Sequence, residues 1–121
     1  MFVRRNIAKF LQQRMFGGKT LVVYGPRQAG KTTAIETYLA ENNLAADTIT
    51  FNGDEPADRE ALADISSSRL KLLIGRKKVL FIDEAHKIAN IGLVLKRAWD
   101  KIKDVQVIAS GSSSVELANQ V

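Results

Sequence analysis

The sequence contains no cysteine and a single histidine among its 121 residues. Without cysteine the chain has neither disulfides nor thiolate metal sites, and one histidine, His86, argues against a histidine-based metal centre and is expected to make local hydrogen bonds. No apolar run approaches the roughly 18 residues of a membrane span, so we expect no membrane partner. The amino terminus, MFVRRNIAKF, carries charges where a secretion signal needs an apolar core. We therefore expect a cytoplasmic location.

Acidic residues are absent from the first 24 positions, and the surplus of positive charge is concentrated there. The rest of the chain holds 13 basic and 13 acidic residues, so the net charge of +5 comes from this segment. One interpretation is a solvated face of an ordinary helix, because the charges form no dense patch. The other is contact with nucleic acid or another acidic surface. The basic residues are Arg4, Arg5, Lys9, Arg14 and Lys19.

Apolar segments alternate between strand-like and helix-like patterns, which predicts an α/β fold with a parallel sheet covered on both faces. An amphipathic helix is expected at about residues 4–15, where Ile7, Phe10, Leu11 and Met15 recur at helical spacing, and we expect one domain over 1–121. Trp99 is expected in the core. The expected strands are 20–24, 48–51, 79–83 and 105–110. The other expected helices are 31–42, one from the Asp54 cap and Pro56 through Ile65, a short one ended by Gly75, 90–103, and one in 113–121.

The stretch GPRQAGKTT, residues 25–33, lies between the first expected strand and the next helix and fits the pattern G-x-x-x-x-G-K-[ST]. A phosphate chain needs bare backbone N–H groups at a helix N-terminus, and glycine allows that approach. Lys31 would neutralise the β and γ phosphates, and the Thr32 hydroxyl would bind Mg²⁺. The competing interpretation is a glycine-rich turn with a solvated lysine. The nucleotide-binding candidates are Gly25, Pro26, Arg27, Gln28, Ala29, Gly30, Lys31, Thr32 and Thr33.

The run VLFIDEA, residues 79–85, predicts a buried strand that ends in two carboxylates. Ligands of open α/β sheets bind at the carboxyl ends of the strands. Asp83 is therefore the candidate for the Mg²⁺ shell, and Glu84 is the candidate general base that polarises an attacking water. The alternative is a strand that ends in a solvated loop.

The segment VIASGSSS, residues 107–114, predicts a strand that ends in small polar residues. If this strand lies between the strands of residues 20–24 and 79–83, Ser110 or Ser112 would face the γ-phosphate or the attacking water. Such a residue senses the presence of the phosphate. A serine-rich loop with a helix cap explains the same residues equally well.

These motifs together resemble a P-loop ATPase of the AAA type. More narrowly, the chain resembles prokaryotic ATP-binding proteins that join an N-terminal AAA domain to a C-terminal nuclease-like domain of unknown function. The resemblance implies a three-layer fold with strand order 2-3-4-1, bound ATP and Mg²⁺, and Mg²⁺-dependent ATP hydrolysis coupled to a partner domain. It also implies a fifth strand and a lid beyond residue 121, so an incomplete or excised domain is expected. The matching segments are residues 25–33, 51–56, 81–87 and 111–114.

Three further expectations concern activity and partners. The chain could instead be a nucleotide-gated interaction module with little hydrolysis of its own, because an outside arginine often supplies much of the rate. A helicase-type motor is a second alternative, since residues 83–86 read DEAH, although the spacing from Lys31 is short for that class. A bare edge at the first strand predicts self-association.

Overall fold

The computed structural model describes residues 2–26 and 30–112, with side chains from residue 5 onward. No helix within these ranges has the length and apolar character needed to cross a bilayer. Two single 3₁₀ turns, Ala45–Asp47 and Ala85–Lys87, join longer elements. The helix expected in residues 113–121 lies outside the described part of the chain. The elements are α1 (Phe2–Arg14), β1 (Leu21–Tyr24), α2 (Lys31–Glu41), β2 (Thr48–Asn52), α3 (Pro56–Leu62), α4 (Ser67–Ile74), β3 (Val79–Asp83), α5 (Ile91–Lys101) and β4 (Gln106–Gly111).

The four strands form one parallel sheet with the order β1-β4-β3-β2. This confirms the expected α/β class and the strand order 2-3-4-1. Parallel strands bring their carboxyl ends to the same edge. Tyr24 pairs there with Gly111, and Asn52 pairs with Asp83. The loops that follow these residues therefore meet at one edge of the sheet, where a ligand site is expected.

Successive residues of the two central strands point to opposite faces and feed two separate cores. Phe81 packs with α1 and α2, whereas Leu80 and Ile82 pack with α3, α4 and α5. Every residue of β3 and β4 is buried, because helices cover both faces of these strands. The result is the expected three-layer α/β/α arrangement.

The first strand is covered less completely than its uninterrupted apolar sequence predicts. Leu21 and Val23 are buried against α1 and α2, but Val22 is half-buried and Tyr24 is exposed. Within the described residues, β1 forms one edge of the sheet and pairs only with β4. The expected cover on both faces therefore holds only in part for this strand: Val22 packs against the core on the side of α3, α4 and α5, but that face is incompletely covered.

The helices agree with the expected positions apart from their ends. Ser66 caps α4 by accepting a hydrogen bond from the Arg69 N–H at 3.3 Å. Gly75 ends that helix as expected. The expected cap at Asp54 is wrong: the N-cap residue of α3 is Glu55, and Pro56 occupies the first helical position. The Asp54 carboxylate instead pairs with Lys87.

Trp99 is the clearest error among the expected core residues, because 54% of its surface is exposed. The other members of the apolar face of α5, including Leu95 and Ala98, are buried. The indole N–H of Trp99 donates to the Gly18 carbonyl at 2.9 Å. The ring thus lies against the turn before β1 rather than in the core, since its polar nitrogen finds a partner there.

Candidate functional site

The loop after β1 leads directly into α2 at the carboxyl edge of the sheet. The Gly25 N–H donates to the Gly111 carbonyl at 3.2 Å and so extends the β1–β4 pairing by one residue. Gly30 is the N-cap residue of α2 and has a φ of 78°, a conformation that favours glycine. A Cβ at Gly30 would meet nothing within 4 Å. Gly30 therefore begins α2 with a left-handed backbone of the kind found in anion-binding loops.

Lys31, the first residue of α2, is almost fully buried, with 2% of its surface exposed. Its ammonium group donates to the Pro26 carbonyl at 3.4 Å. It also lies 3.9 Å from the Glu84 Oε2 atom. A buried lysine needs such partners, because desolvation of an unpaired charge is costly. The loop and the end of β3 thus hold this positive charge between them.

Asp83, at the tip of β3, accepts three hydrogen bonds. The Thr32 hydroxyl donates to Oδ2 at 2.9 Å, and the Ser110 hydroxyl donates to Oδ1 at 2.6 Å. The Glu84 N–H also donates to Oδ1, at 3.0 Å. Ser110 is fully buried and belongs to the neighbouring strand β4. The carboxylate is therefore held by groups from α2, β4 and the turn after β3. Its Oδ2 atom accepts from Thr32, whose hydroxyl is expected to bind Mg²⁺.

Glu84 follows Asp83 and leaves the strand with a left-handed backbone, φ 48°. Only 6% of its surface is exposed. The Ser112 hydroxyl lies 3.3 Å from Oε1 and donates to it. The His86 Nε2 atom lies 3.7 Å from the same oxygen, and Lys31 approaches the other oxygen. Both oxygens of the expected general base thus have partners among the described residues.

Gly53 supports Glu84 in a way that the motifs in the sequence did not predict. Its N–H donates to the Asp83 carbonyl at 2.8 Å. A Cβ at Gly53 would lie 2.0 Å from the Glu84 carbonyl oxygen, which is a steric clash. Only glycine lets the end of β2 lie this close to the turn after β3. The signals in the sequence were a glycine two positions after the expected strand of residues 48–51 and its place in the segment 51–56 that matches the resemblance.

The structure brings most of the described candidates into one network. Thr33 is exposed on the first turn of α2 and makes no side-chain hydrogen bond with the described residues. Arg27, Gln28 and Ala29 lie outside the described residues. His86, expected only to make local hydrogen bonds, joins the network through a ring nitrogen. The networked candidates are Lys31, Thr32, Asp83, Glu84, Ser110 and Ser112.

The residues fit a magnesium–phosphate complex better than a metal cage made of protein alone. Within residues 2–26 and 30–112, no three histidine or acidic side chains cluster as metal ligands. Mg²⁺ is usually held by one or two protein oxygens together with phosphates and water, and Thr32 and Asp83 supply such a pair. Lys31 alone balances only one of the two neighbouring carboxylates. A polyphosphate would therefore need an accompanying cation.

Comparisons with known proteins found a matching family model and similar sequences. A family model described as an AAA domain matches residues 17–121. Uncharacterized protein Rv2008c of Mycobacterium tuberculosis and uncharacterized protein Mb2031c of Mycobacterium bovis are each 30% identical to the chain over 115 residues. These matches cover 94% of this chain but 24% of each relative, so the chain spans about a quarter of their length.

One solved structure, described as "Structure of Drosophila ORC bound to DNA", contains a chain with the same fold. The TM-score is 0.61, and the match covers 97% of this chain and 85% of that one. The sequence identity is 13%, so this similarity supports the fold alone.

Proposed function

Since this chain belongs to the AAA domain family, we propose that it binds ATP with Mg²⁺ and hydrolyses the bound ATP. The observation that carries the proposal is the meeting of a glycine-capped helix N-terminus with a lysine and two carboxylates. These groups are Gly30 and Lys31 at the start of α2, and Asp83 and Glu84 at the end of β3. Each group has a defined task in phosphoryl transfer.

The loop before α2 binds the phosphates in this proposal. The backbone N–H groups of the first turn of α2 are natural anion donors, and the helix dipole adds to their attraction. Lys31 already lies between the loop and Glu84, so a small movement of its side chain brings the ammonium group to the phosphates. Thr32 and Asp83 would hold the magnesium ion. Bound magnesium would neutralise the charge on the β and γ phosphates.

Glu84 acts as the general base. Its carboxylate accepts a proton from a water molecule while the water oxygen bonds to the γ-phosphorus. The bond from that phosphorus to the β–γ bridging oxygen breaks, and the products are ADP and inorganic phosphate. Asp83 has a different task in this proposal, because its Oδ2 atom is paired with the Thr32 hydroxyl at the expected magnesium site.

Replacement of Lys31 tests the binding site. We expect Lys31→Ala to lower the affinity for ATP with Mg²⁺ at least 100-fold, since a buried, charge-assisted contact with phosphate is lost. Isothermal titration calorimetry measures this directly. Lys9→Ala is the matched control, because Lys9 is an exposed lysine on α1. Equal affinity in wild type and Lys31→Ala would refute the site.

Replacement of Glu84 separates hydrolysis from binding. Glu84→Gln keeps the size of the side chain but removes the basic oxygen. We expect ATP affinity within about threefold of wild type and turnover at least 100-fold lower, because general-base catalysis typically contributes 10²–10⁴ in rate. Release of labelled phosphate is the measurement. Unchanged turnover would exclude Glu84 as the base.

A module that binds ATP but scarcely hydrolyses it is the second candidate. The hydrogen bonds and ion pairs that Asp83 and Glu84 make with described residues involve no arginine. An arginine at the transition state can contribute 10³–10⁵ in rate. Turnover near one per second in the isolated chain would favour the enzyme. Micromolar ATP affinity with turnover below about one per hour would favour the module.

Coupling to a further domain is part of the proposal. The curated relatives are about four times as long as the segment that this chain matches, which leaves room in them for other domains. Hydrolysis in the AAA unit would then change how such a domain is held. Limited proteolysis of a longer natural form, with and without ATP, would test this. Identical cleavage in both states would count against coupling.

Self-association is proposed at the edge strand β1. The outer side of this strand pairs with no described strand, and Tyr24, the last residue of the strand, is 42% exposed. Unpaired strand edges readily accept a second strand. Sedimentation velocity at high micromolar concentration should show dimers, which Tyr24→Lys should weaken. Leu72→Lys is the control at an exposed apolar position on α4. A strictly monomeric wild type would contradict the proposal.

Nucleic acid is proposed as a partner of α1. Arg5, Lys9 and Arg14 are exposed on this helix, where they can reach phosphates. The DNA in the similar solved structure is bound to that protein and only motivates the test. Affinity for a duplex should fall as salt rises, and Arg5→Ala with Lys9→Ala should reduce that salt dependence. Salt-independent binding, or none at about 50 mM salt, would refute the proposal.

A further inference from the structure

We propose that His86 is a positioning residue for hydrolysis. Through the Ser112 hydroxyl, its imidazole holds the carboxylate of Glu84 in the orientation that a general base needs. This inference rests on the function proposed above and extends it to a residue outside the phosphate loop and the carboxylate pair.

Three side chains form the chain of contacts. The His86 Nε2 atom lies 3.5 Å from the Ser112 Oγ atom, and that oxygen lies 3.3 Å from Glu84 Oε1. His86 Nε2 is also 3.7 Å from the same carboxylate oxygen. Glu84 and His86 come from the turn after β3, and Ser112 directly follows β4. Their arrangement therefore depends on the pairing of these two strands.

The direction of the hydrogen bonds follows from the number of protons. An ionised carboxylate only accepts, so Ser112 must donate its single hydroxyl proton to Glu84. The Ser112 oxygen is then left to accept from His86, and the imidazole must carry its proton on Nε2. The geometry thus assigns the Nε2–H tautomer and a directed relay from His86 through Ser112 to Glu84.

The other ring nitrogen makes no hydrogen bond with the described residues that would explain a histidine at this position. The Nδ1 atom is buried and has no hydrogen-bond partner among the described residues. A buried polar atom without a partner costs stability, and an apolar side chain of similar size would avoid that cost. Histidine at this position is explained if its Nε2 atom performs a task.

The task becomes important when phosphates bind. In the present structure Lys31 holds Oε2 of Glu84, and Ser112 holds Oε1. Once the phosphates attract Lys31, that residue no longer holds the Glu84 carboxylate. Among the described residues, Ser112 and His86 then remain to orient it. His86 fixes the Ser112 hydroxyl, which otherwise could rotate away.

The tautomer can be tested without any turnover. His86 is the only histidine in the chain, so its ring nitrogens give unambiguous long-range ¹H–¹⁵N signals. We expect the pattern of an Nε2–H imidazole, and we expect Ser112→Ala to shift the Nε2 resonance more than the Nδ1 resonance. A ring with its proton on Nδ1, or one unaffected by Ser112→Ala, would overturn the proposal.

Kinetics test the positioning role. The amide nitrogen of glutamine reaches the place of Nε2, whereas that of asparagine reaches the place of Nδ1. We expect His86→Gln to keep single-turnover hydrolysis within about threefold of wild type. We expect His86→Asn and His86→Ala to lower it about tenfold, the equivalent of one hydrogen bond. ATP affinity should stay within about twofold in all three variants. Equal losses in the Gln and Asn variants, or no loss in either, would refute the role.

Two controls separate the possible failures. In the Glu84→Gln background, His86→Ala should cause no further loss of turnover, because the base on which it acts is gone. An additional loss there would contradict action through Glu84. If Lys31→Ala leaves ATP affinity unchanged, the proposed function fails, but the tautomer experiment still decides whether the relay exists. Circular dichroism melts identify any variant that is simply unfolded.

Discussion

The hydroxyl of Thr32 and the carboxylate of Asp83 lie 2.9 Å apart, although 51 positions separate the two residues in the chain. Thr32 lies in the first turn of α2, and Asp83 is the last residue of β3. Three other elements lie between this helix and this strand in the chain. The contact exists because β4 is inserted between β1 and β3, which sets the spacing across the carboxyl edge of the sheet.

Substitution of Thr32 should change the magnesium dependence of ATP binding. Thr32→Ala removes a hydroxyl expected to bind Mg²⁺, and we expect the magnesium concentration for half-maximal ATP binding to rise at least tenfold, about 1.4 kcal/mol. Thr32→Ser keeps the hydroxyl, so its magnesium concentration for half-maximal ATP binding should stay within about threefold of the wild-type value. Fluorescence titration at fixed nucleotide concentration gives the value. A similar rise in Thr33→Ala, at the exposed neighbouring position, would argue against a specific role for Thr32.

Substitution of Gly53 should damage both stability and hydrolysis. The added methyl of Gly53→Ala would overlap the Glu84 carbonyl, and relief of such overlap typically costs about 1–3 kcal/mol and moves backbone. Urea unfolding and phosphate release are the two measurements. Gly18→Ala is the control, since Gly18 has a φ of 88° but no atom within 4 Å of an added Cβ. Gly18→Ala should lower the free energy of unfolding by about 1–2 kcal/mol, because a residue with a Cβ is strained in a left-handed backbone. It should keep wild-type turnover. Wild-type behaviour of Gly53→Ala would show that the close approach is not needed.

Gln106 should stabilise the end of the sheet that lies opposite the candidate site, where β4 begins. Its buried side chain accepts from the Phe16 N–H at 2.6 Å and donates to the Lys19 carbonyl at 2.9 Å. Gln106→Leu leaves both backbone groups without this partner, so we expect the free energy of unfolding in urea to fall by about 2–4 kcal/mol. ATP affinity should be unchanged. Gln13→Leu, at an exposed position on α1, should be nearly neutral. A loss below about 0.5 kcal/mol for Gln106→Leu would show that water replaces these contacts.

Tyr38 should make the fold sensitive to alkaline pH. Burial raises the pKa of the Tyr38 hydroxyl above its usual value of 10.0. The folded chain therefore keeps this proton more tightly than the unfolded chain. The resulting stabilisation is fully present below about pH 10 and is lost as the pH rises through the raised pKa.

The measurement is the free energy of unfolding of wild type and Tyr38→Phe between about pH 8 and pH 11. The phenylalanine variant lacks the titrating proton, so its stability should fall less steeply above about pH 10. Tyr24→Phe serves as the control at the exposed tyrosine and should follow wild type. Parallel curves for wild type and Tyr38→Phe would remove Tyr38 as the cause.

Local patterns predicted those parts of the site that depend on neighbours in sequence. The glycine at position 30 marks a left-handed backbone, and an apolar run that ends at Asp83 marks a strand tip. Both features are confirmed, because turn geometry and strand burial are largely local properties. The resemblance to AAA domains supplied the strand order, which no local pattern contains.

Other parts depend on contacts between distant segments and were not predicted from the sequence. Position 53 must be glycine because the carbonyl of Glu84, 31 positions later, lies where a Cβ would be. The Gln106 side chain makes hydrogen bonds with backbone groups about 90 positions earlier. Trp99 fits the apolar pattern of α5, yet it is exposed because its neighbour in space is the turn at Gly18. Periodicity gives the face of a helix but not what lies opposite that face.

The amino-acid sequence alone determined the alternation of strands and helices, the glycine-capped start of α2 and the acidic end of β3. These features follow from backbone preferences and from the burial of apolar side chains, which act over a few residues. Only the tertiary structure decided which side chains hold Asp83 and Glu84, that His86 faces Ser112, and that Gly53 lies against Glu84. Those relationships depend on the order of strands in the sheet, because a hydrogen bond forms between groups that folding has brought within about 3 Å of one another.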